Sequence, residues 1–120
     1  MIQGLFQLID VYCCNFSQHK DPIKLDVVQN GYNGYFYACP KYYNFDSKIG
    51  EKRCSNRISP IEYEKMLYHI SDLIEEGDRN NEVIDLTGYK WSQRGISFEI
   101  VKYSRDKIVV HMLNKKQIAY

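Results

Sequence analysis

Cysteine and histidine are the residues of this chain whose types and spacing can do chemistry, and most of them lie in its first half. The sequence of 120 residues holds four cysteines and three histidines. Cys39 and Cys54 bracket a basic, aromatic loop, and Cys13, Cys14 and His19 precede it. Thiolate sulfur and imidazole nitrogen are the usual ligands of structural zinc, which adds folding free energy to a loop-rich region. The predicted zinc ligands are Cys14, His19, Cys39 and Cys54.

The spacing of the cysteines supports this set only in part. No Cys-x-x-Cys pair is present. Neighbouring residues of a strand point to opposite faces, so Cys13 and Cys14 are not expected to reach the same ion. Free cysteine is also among the most buried residue types and packs as a small hydrophobe. The cysteines are therefore either ligands of zinc, core thiols or redox-active thiols.

The loop between Cys39 and Cys54 alternates cations with aromatic rings. Such alternation suits single-stranded nucleic acid, because cations meet the phosphates and the bases stack on the rings. Asp46 and Glu51 dilute the positive charge, and the net charge of the whole chain is only +1. Nucleic acid is therefore an alternative partner rather than the first choice. The predicted partner-binding residues are Tyr35, Tyr37, Lys41, Tyr42, Tyr43, Lys52, Arg53 and Arg57.

Eleven tyrosines, against one tryptophan and five phenylalanines, favour a protein-binding surface. Tyrosine is enriched at interfaces because it combines a large apolar area with a polar tip and few rotatable bonds. The alternative is that alternate tyrosines in a short strand line a small core, since tyrosine is also a good strand former.

The sequence carries no recognisable catalytic signature. It lacks a Gly-rich phosphate loop, an HExxH helix and a nucleophile elbow. Cys13 or Cys14 can be paired on paper with His19, His69 or His111 as thiolate and base, but scattered histidines always permit such pairings. We therefore predict a protein that is not an enzyme and has no catalytic residues.

One helix and several short strands must position these residues. Ser59-Pro60-Ile61-Glu62 is a capping box with proline at the first helical position. Apolar residues then recur every three or four positions as far as Gly77, which is predicted to end the helix. Runs of β-branched and aromatic residues, and alternating apolar residues, indicate strands. The predicted strands are Leu8 to Phe16, Lys24 to Val28, Tyr35 to Cys39, 83–86, 89–91, Ile96 to Ile100 and Ile108 to Met112.

These elements predict an α+β fold in which one main amphipathic helix packs on a small antiparallel sheet, with a cysteine-bracketed loop. The length fits a single domain over 1–120. Its predicted parts are a strand- and loop-rich half at 1–58, the helix at 59–77, antiparallel strands within 83–113 and a tail at 114–120. No apolar run approaches the roughly 20 residues of a membrane-spanning helix. The chain start also lacks the basic region of a signal peptide, so a cytoplasmic location without membrane association is expected.

Two motifs flank the loop, namely Tyr37-Ala38-Cys39-Pro40 and Cys54-Ser55-Asn56-Arg57-Ile58-Ser59. Together with the helix that follows, they resemble small uncharacterised proteins carried by phages and mobile elements of Gram-positive bacteria. The resemblance implies a role in host interaction or defence, as an inhibitor of an immune protein or as a protein that sequesters a nucleotide signal. It carries over no site residue beyond the two cysteines and Arg57.

The function predicted from the sequence is that of a small non-enzymatic binding protein, an accessory or inhibitor of a phage or mobile element that acts on a host protein through its tyrosine-rich, basic loop. One alternative is a protein that binds single-stranded nucleic acid and contains a structural zinc. A second alternative is a protein that binds a nucleotide signal.

Overall fold

The structure, a computed structural model, describes residues 7–15, 19–30, 34–42, 54–81, 84–104 and 106–115. Within these ranges the structure has one long helix and eight strands, and the strands form two sheets. This confirms the predicted α+β class. The elements are β1 (Ile9–Cys13), β2 (Ile23–Lys24), β3 (Asp26–Asn30), β4 (Gly34–Ala38), a 3-10 helix (Pro40–Tyr42), β5 (Arg57–Ile58), α1 (Pro60–Arg79), β6 (Lys90–Gln93), β7 (Ile96–Tyr103) and β8 (Ile108–Asn114).

The larger sheet has five strands in the order β2-β1-β8-β7-β6. The antiparallel β7–β8 pair is the one that the alternating residues predicted. Its inward side chains are all buried: Ile96, Phe98, Ile100, Ile108, Val110 and Met112. β1 lies beside β8 in parallel, with Cys13 opposite Met112. No local pattern predicts that pairing, because the two strands are almost a full chain length apart.

The smaller sheet has three antiparallel strands in the order β3-β4-β5. β3 and β4 form a hairpin in which Val27 lies opposite Tyr37. Across the other edge of β4, Tyr37 lies opposite Ile58, and Ala38 opposite Arg57. Directly opposed residues of an antiparallel pair share a face of the sheet. This register therefore decides which of the tyrosines and cations lie together.

The chain passes from one sheet to the other at Leu25. The single strand predicted from Lys24 to Val28 is in fact two, because β2 pairs with β1 in the larger sheet and β3 pairs with β4 in the smaller one. The backbone N–H of Leu25 donates to the carbonyl oxygen of Val11 at 2.9 Å, and the Leu25 side chain is buried. The two sheets are thus held side by side at this residue.

The helix α1 begins as the capping box predicted. The hydroxyl of Ser59 accepts a hydrogen bond from the backbone N–H of Glu62 at 3.3 Å. The Glu62 carboxylate accepts from Gln93 at 2.9 Å, a contact that ties α1 to β6. Met66 and Ile70 of the apolar stripe are buried in the same core as the inward residues of β7 and β8.

The end of the helix differs from the prediction. The helix continues past Gly77 to Arg79, and Asn81, at φ 53°, takes the left-handed conformation beyond its end. Gly77 is buried, and a Cβ atom there would lie 2.6 Å from Cγ2 of Ile84. Glycine at this position is therefore required by the close approach of the following segment, not by helix termination.

The remaining predictions are met unevenly. β6 begins at Lys90, close to the strand predicted at 89–91, whereas residues 84–86 lie outside any strand and residue 83 is outside the described residues. The structure describes only the first two residues of the predicted tail at 114–120, and Asn114 still belongs to β8. Among the described residues, no helix has the length and apolar character needed to cross a membrane.

Gly77→Ala is expected to lower the free energy of unfolding by about 1–3 kcal/mol, because the new methyl group overlaps Ile84. This cost exceeds the gain of about 0.5–1 kcal/mol that alanine normally brings to a helix interior. Denaturant unfolding measures the difference. In an Ile84→Ala background the same change should become neutral or stabilising. A stabilising effect in the parent protein would contradict the close approach.

Candidate metal centre

Four side chains that can bind a metal converge where the two sheets meet. They are Cys13, His19, Cys39 and Cys54, and their ligand atoms all lie within 4.8 Å of one another. The three cysteines have no exposed surface, and His19 is partly buried. All four cysteines of the chain are free thiols. Three of the four predicted ligands are thus brought together, and the fourth position is taken by a different cysteine.

The separations within this group match one tetrahedral ion. Zinc bonds of about 2.3 Å to sulfur and about 2.0–2.1 Å to nitrogen give tetrahedral edges of about 3.8 Å between sulfurs and about 3.5 Å between sulfur and nitrogen. Sγ of Cys13 lies 3.7 Å from Sγ of Cys54. Nε2 of His19 lies 3.5 Å from Sγ of Cys39 and 3.1 Å from Sγ of Cys13. One ion at the centre would therefore need only small movements of the ligands.

The strand β1 places Cys13 in the group and excludes Cys14, which corrects the prediction. Ile9, Val11 and Cys13 face the core, so the side chain of Cys14 points to the opposite face of the sheet. Its Sγ donates to the carbonyl oxygen of Met112 at 3.3 Å instead. Burial raises the pKa of the Cys14 thiol, which keeps it protonated. The apolar alternation of Ile9 and Val11 was the signal in the sequence that favoured Cys13.

The ring of His19 is oriented by a neighbouring carbonyl group. Nδ1 of His19 lies 2.8 Å from the carbonyl oxygen of Asp21. A carbonyl oxygen only accepts, so Nδ1 carries the proton and Nε2 keeps its lone pair toward the sulfurs. Metal-binding histidines commonly have such a partner, because it fixes the tautomer and the ring orientation. The backbone N–H of His19 also donates to the carbonyl oxygen of Asn15 at 3.2 Å.

The ends of β4 and β5 hold Cys39 and Cys54. Cys39 follows β4, and its backbone N–H donates to the carbonyl oxygen of Asn56 at 3.1 Å. Cys54 precedes β5, and its N–H donates to the carbonyl oxygen of Lys41 at 3.1 Å. The two ends of the cysteine-bracketed loop therefore meet at the group, as the sequence predicted. The loop itself, at 43–53, lies outside the described residues.

Two buried asparagines surround the sulfurs. The amide nitrogen of Asn56 donates to Sγ of Cys13 and to the carbonyl oxygen of Met112, both at 3.0 Å. Its amide oxygen accepts from the backbone N–H of Asn114 at 2.7 Å. The amide of Asn15 donates to Sγ of Cys54 at 3.5 Å. Sequence reasoning overlooked both asparagines, although each stands two residues after a cysteine.

The hydrogen bonds within the group shift the pKa values of its thiols in opposite directions. Hydrogen bonds from the Cys13 thiol, and then from Cys39, hold the pKa of Cys54 well below its usual range. The hydrogen bonds of the Cys13 thiol to Cys39, and then to Cys54, raise the pKa of Cys13, and burial adds to this effect. A backbone N–H two residues later also acts on each sulfur and favours its thiolate. These donors belong to Asn15 for Cys13, Lys41 for Cys39 and Asn56 for Cys54.

The predicted partner-binding residues are divided between the two faces of the smaller sheet. Tyr35 is 46% exposed, whereas the Tyr37 ring stacks on the Tyr63 ring of α1 at 3.8 Å. Arg57 lies opposite Ala38 and therefore on the other face, where its guanidinium sits 5.7 Å from the centre of the Phe36 ring.

The other members of the predicted set lie at or beyond the start of the loop. Lys41 is partly buried in the 3-10 helix, and Tyr42 ends it. Tyr43, Lys52 and Arg53 are outside the described residues, so their predicted role stays a prediction.

Comparison with known proteins identifies no relative. No protein-family model, no curated protein and no solved structure matches this chain. The site must therefore be interpreted from its own geometry and chemistry. That geometry is a group of three buried sulfurs and one partly buried imidazole, compatible with a metal site, with asparagine donors around it.

Asn56→Ala is expected to lower the free energy of unfolding by about 1–3 kcal/mol, since it leaves the buried backbone N–H of Asn114 without its acceptor and removes one donor from the Met112 carbonyl, which still accepts from Cys14. Thermal and denaturant unfolding measure this loss. Asn56→Asp keeps the acceptor for Asn114 but turns an oxygen toward Cys13 and Met112. We expect it to be no better than alanine. Near-parent stability of Asn56→Asp would show that donation to the sulfur is unimportant.

Proposed function

We propose that this chain is a small, non-enzymatic binding protein that contains one structural zinc ion and acts on a host protein through the exposed aromatic surface of its smaller sheet. The observation that carries the metal assignment is the convergence of Cys13, His19, Cys39 and Cys54 at tetrahedral separations. The observation that supports a partner surface is the exposure of apolar side chains on β3 and β4.

A structural role suits this donor set better than a catalytic one. Catalytic zinc normally has three protein ligands and keeps a fourth position for water or substrate, whereas structural sites are closed by four. Here four protein donors are available, and three of them have no exposed surface. Sulfur-rich tetrahedral sites select zinc or iron–sulfur clusters, and donors within 4.8 Å of one another enclose a single ion.

The ion would add a further link between two sheets that already meet at Leu25 and at Asn56. Cys13 ends a strand of the larger sheet, whereas Cys39 and Cys54 lie at strand ends of the smaller sheet. His19 comes from the segment between β1 and β2. Binding free energy that is available only in the folded state is folding free energy, so the metal would stabilise the junction of the two sheets.

The surface proposed for the partner is centred on Tyr35 and Val27. Their exposed fractions are 46% and 51%, and the register of β3 and β4 puts both on the same face of the smaller sheet. Tyr37 anchors this face to α1 by stacking on Tyr63. A rigid, exposed tyrosine beside an aliphatic side chain is typical of interface anchors.

The nature of the partner is inferred from the sequence motifs around Cys39 and Cys54. Their resemblance to proteins of phages and mobile elements supports a host protein as the partner and an inhibitory or accessory role. A second candidate function, binding of single-stranded nucleic acid, is favoured by the cation–aromatic pair of Arg57 and Phe36. That pair lies on the face of the smaller sheet opposite Tyr35, so the two functions are separable by mutation.

The purified protein is expected to contain a single zinc ion per chain, and removal of the ion by a chelator should lower the melting temperature by about 10 °C or more. Elemental analysis and thermal unfolding before and after chelation measure both. Substitution with Co²⁺ should give the absorption bands of tetrahedral cobalt with sulfur ligands.

Cys14→Ser is the matched control, because Cys14 neighbours a proposed ligand but points away from the group. It should retain the metal, while Cys13→Ser and His19→Ala should lose it or bind it far more weakly. Retention of zinc by Cys13→Ser, or its loss only in Cys14→Ser, would restore the ligand set predicted from the sequence. Absence of metal uptake by the reduced parent protein would exclude the centre.

Tyr35→Ser is expected to weaken binding to the protein partner by about 2 kcal/mol or more without changing the melting temperature, because an exposed anchor contributes to binding and little to folding. Affinity capture with the zinc-loaded parent identifies the partner, and titration calorimetry gives the change. Arg57→Gln is the comparison on the opposite face, and binding to a fluorescent single strand is measured in parallel. If Arg57→Gln loses binding to the single-stranded nucleic acid and no protein is captured, the nucleic-acid function would be favoured.

A further inference from the structure

We propose that Cys13 and Cys54 form a redox pair within the metal centre, which hydrogen peroxide converts to a disulfide with release of the ion. The inference rests on the proposed zinc site and adds a mode of regulation to it. The predicted disulfide joins Cys13 to Cys54 and leaves Cys39 as a free thiol.

The geometry selects this pair. Sγ of Cys13 and Sγ of Cys54 are 3.7 Å apart in a fully buried contact. Sγ of Cys39 lies within 4.8 Å of both sulfurs and 3.5 Å from Nε2 of His19. Asn56 donates to Sγ of Cys13 and Asn15 to Sγ of Cys54, so both sulfurs are held in place from outside the pair. Closing the gap from 3.7 Å to the bonded distance of about 2 Å takes a relative movement of about 1.7 Å.

Access to the group determines the kind of oxidant. The three cysteines have no exposed surface, and His19 is the one ligand of the four that keeps some. A bulky disulfide such as oxidised glutathione cannot reach sulfurs buried in this way, whereas hydrogen peroxide is little larger than water. Entry is therefore expected on the side of His19.

The chemistry balances with peroxide alone. The thiolate of Cys54 attacks one oxygen of hydrogen peroxide, which breaks the O–O bond, gives the sulfenic acid and releases hydroxide. The thiolate of Cys13 then attacks that sulfur, forms the S–S bond and releases a second hydroxide. Two thiolates lose one electron each, and peroxide gains both. With only Cys39 and His19 left as ligands, the ion is no longer held by a closed set of four.

The disulfide would preserve one link between the sheets and remove another. Cys13 of the larger sheet and Cys54 of the smaller sheet would stay joined by a covalent bond. Cys39, which follows β4 directly, would lose its link to the metal. Since β4 carries Tyr35, oxidation is expected to weaken partner binding while the overall fold persists.

The experiment uses the zinc-loaded Cys14→Ser protein, so that the cysteine adjacent to Cys13 does not confuse the mapping. The zinc content is measured first, and hydrogen peroxide is then added while a chromogenic chelator reports the metal released. Digestion under non-reducing conditions and mass spectrometry identify the disulfide. We expect complete loss of zinc together with a Cys13–Cys54 cross-link, and recovery of zinc binding after reduction by dithiothreitol.

Three results would overturn the redox pair: retention of zinc at peroxide concentrations that oxidise Cys14 in the parent protein, a cross-link that contains Cys39, or release with sulfinic acids and no cross-link. The zinc content before oxidation tests the proposed function separately. A zinc-free protein that still forms the Cys13–Cys54 cross-link would contradict the zinc site and support the pair. A zinc-free protein that forms no cross-link would contradict both.

Discussion

Three buried sulfurs and one imidazole nitrogen meet at one point, and the arrangement of both sheets depends on which bonds these four atoms form. Polar groups buried without partners destabilise a fold, so each of these atoms needs a hydrogen bond or a metal bond. Cys13 and Cys54 contact each other, and Asn56 and Asn15 donate to them from the side. A cation at the centre would complete the balance by stabilising the sulfurs as thiolates.

The asparagines extend this constraint into the sheets. The Asn56 side chain forms hydrogen bonds with the backbone of Met112 and of Asn114, so the group is tied to the last residues of β8 as well as to β1. The side chain of Asn114, in β8, also donates to the carbonyl oxygen of Arg57, in β5, at 2.7 Å. The edge of the smaller sheet is therefore attached to the larger one through buried polar contacts, whereas α1 is attached through apolar contacts together with the hydrogen bond from Gln93 to Glu62.

This division of roles leaves the smaller sheet free to present side chains. The core is filled mainly by α1 and by the inward residues of β1, β7 and β8, and the smaller sheet adds Ile58 to it and stacks Tyr37 on the helix. Val27 and Tyr35 are exposed on β3 and β4. A sheet fixed at one end by a polar centre and exposed at the other is a rigid way to present an aromatic side chain, which lowers the entropic cost of binding.

Local rules in the sequence determined the elements that need no distant partner. The capping box located the start of α1, and alternation located β7 and β8, because both signals depend only on neighbouring residues. The sequence also indicated that Cys39, Cys54 and His19 belong together by residue type. The prediction took Cys14 instead of Cys13 and was wrong, since that choice depends on which face of β1 meets the core.

Only the tertiary structure decided that choice, through the parallel pairing of β1 with β8 and the passage between sheets at Leu25. It also made Gly77 a position of close contact with Ile84, where the local pattern had predicted a helix end. These outcomes share one physical reason. Pairings between segments far apart in the chain are set by the packing of the whole core, and a sequence window of a few residues carries no record of them.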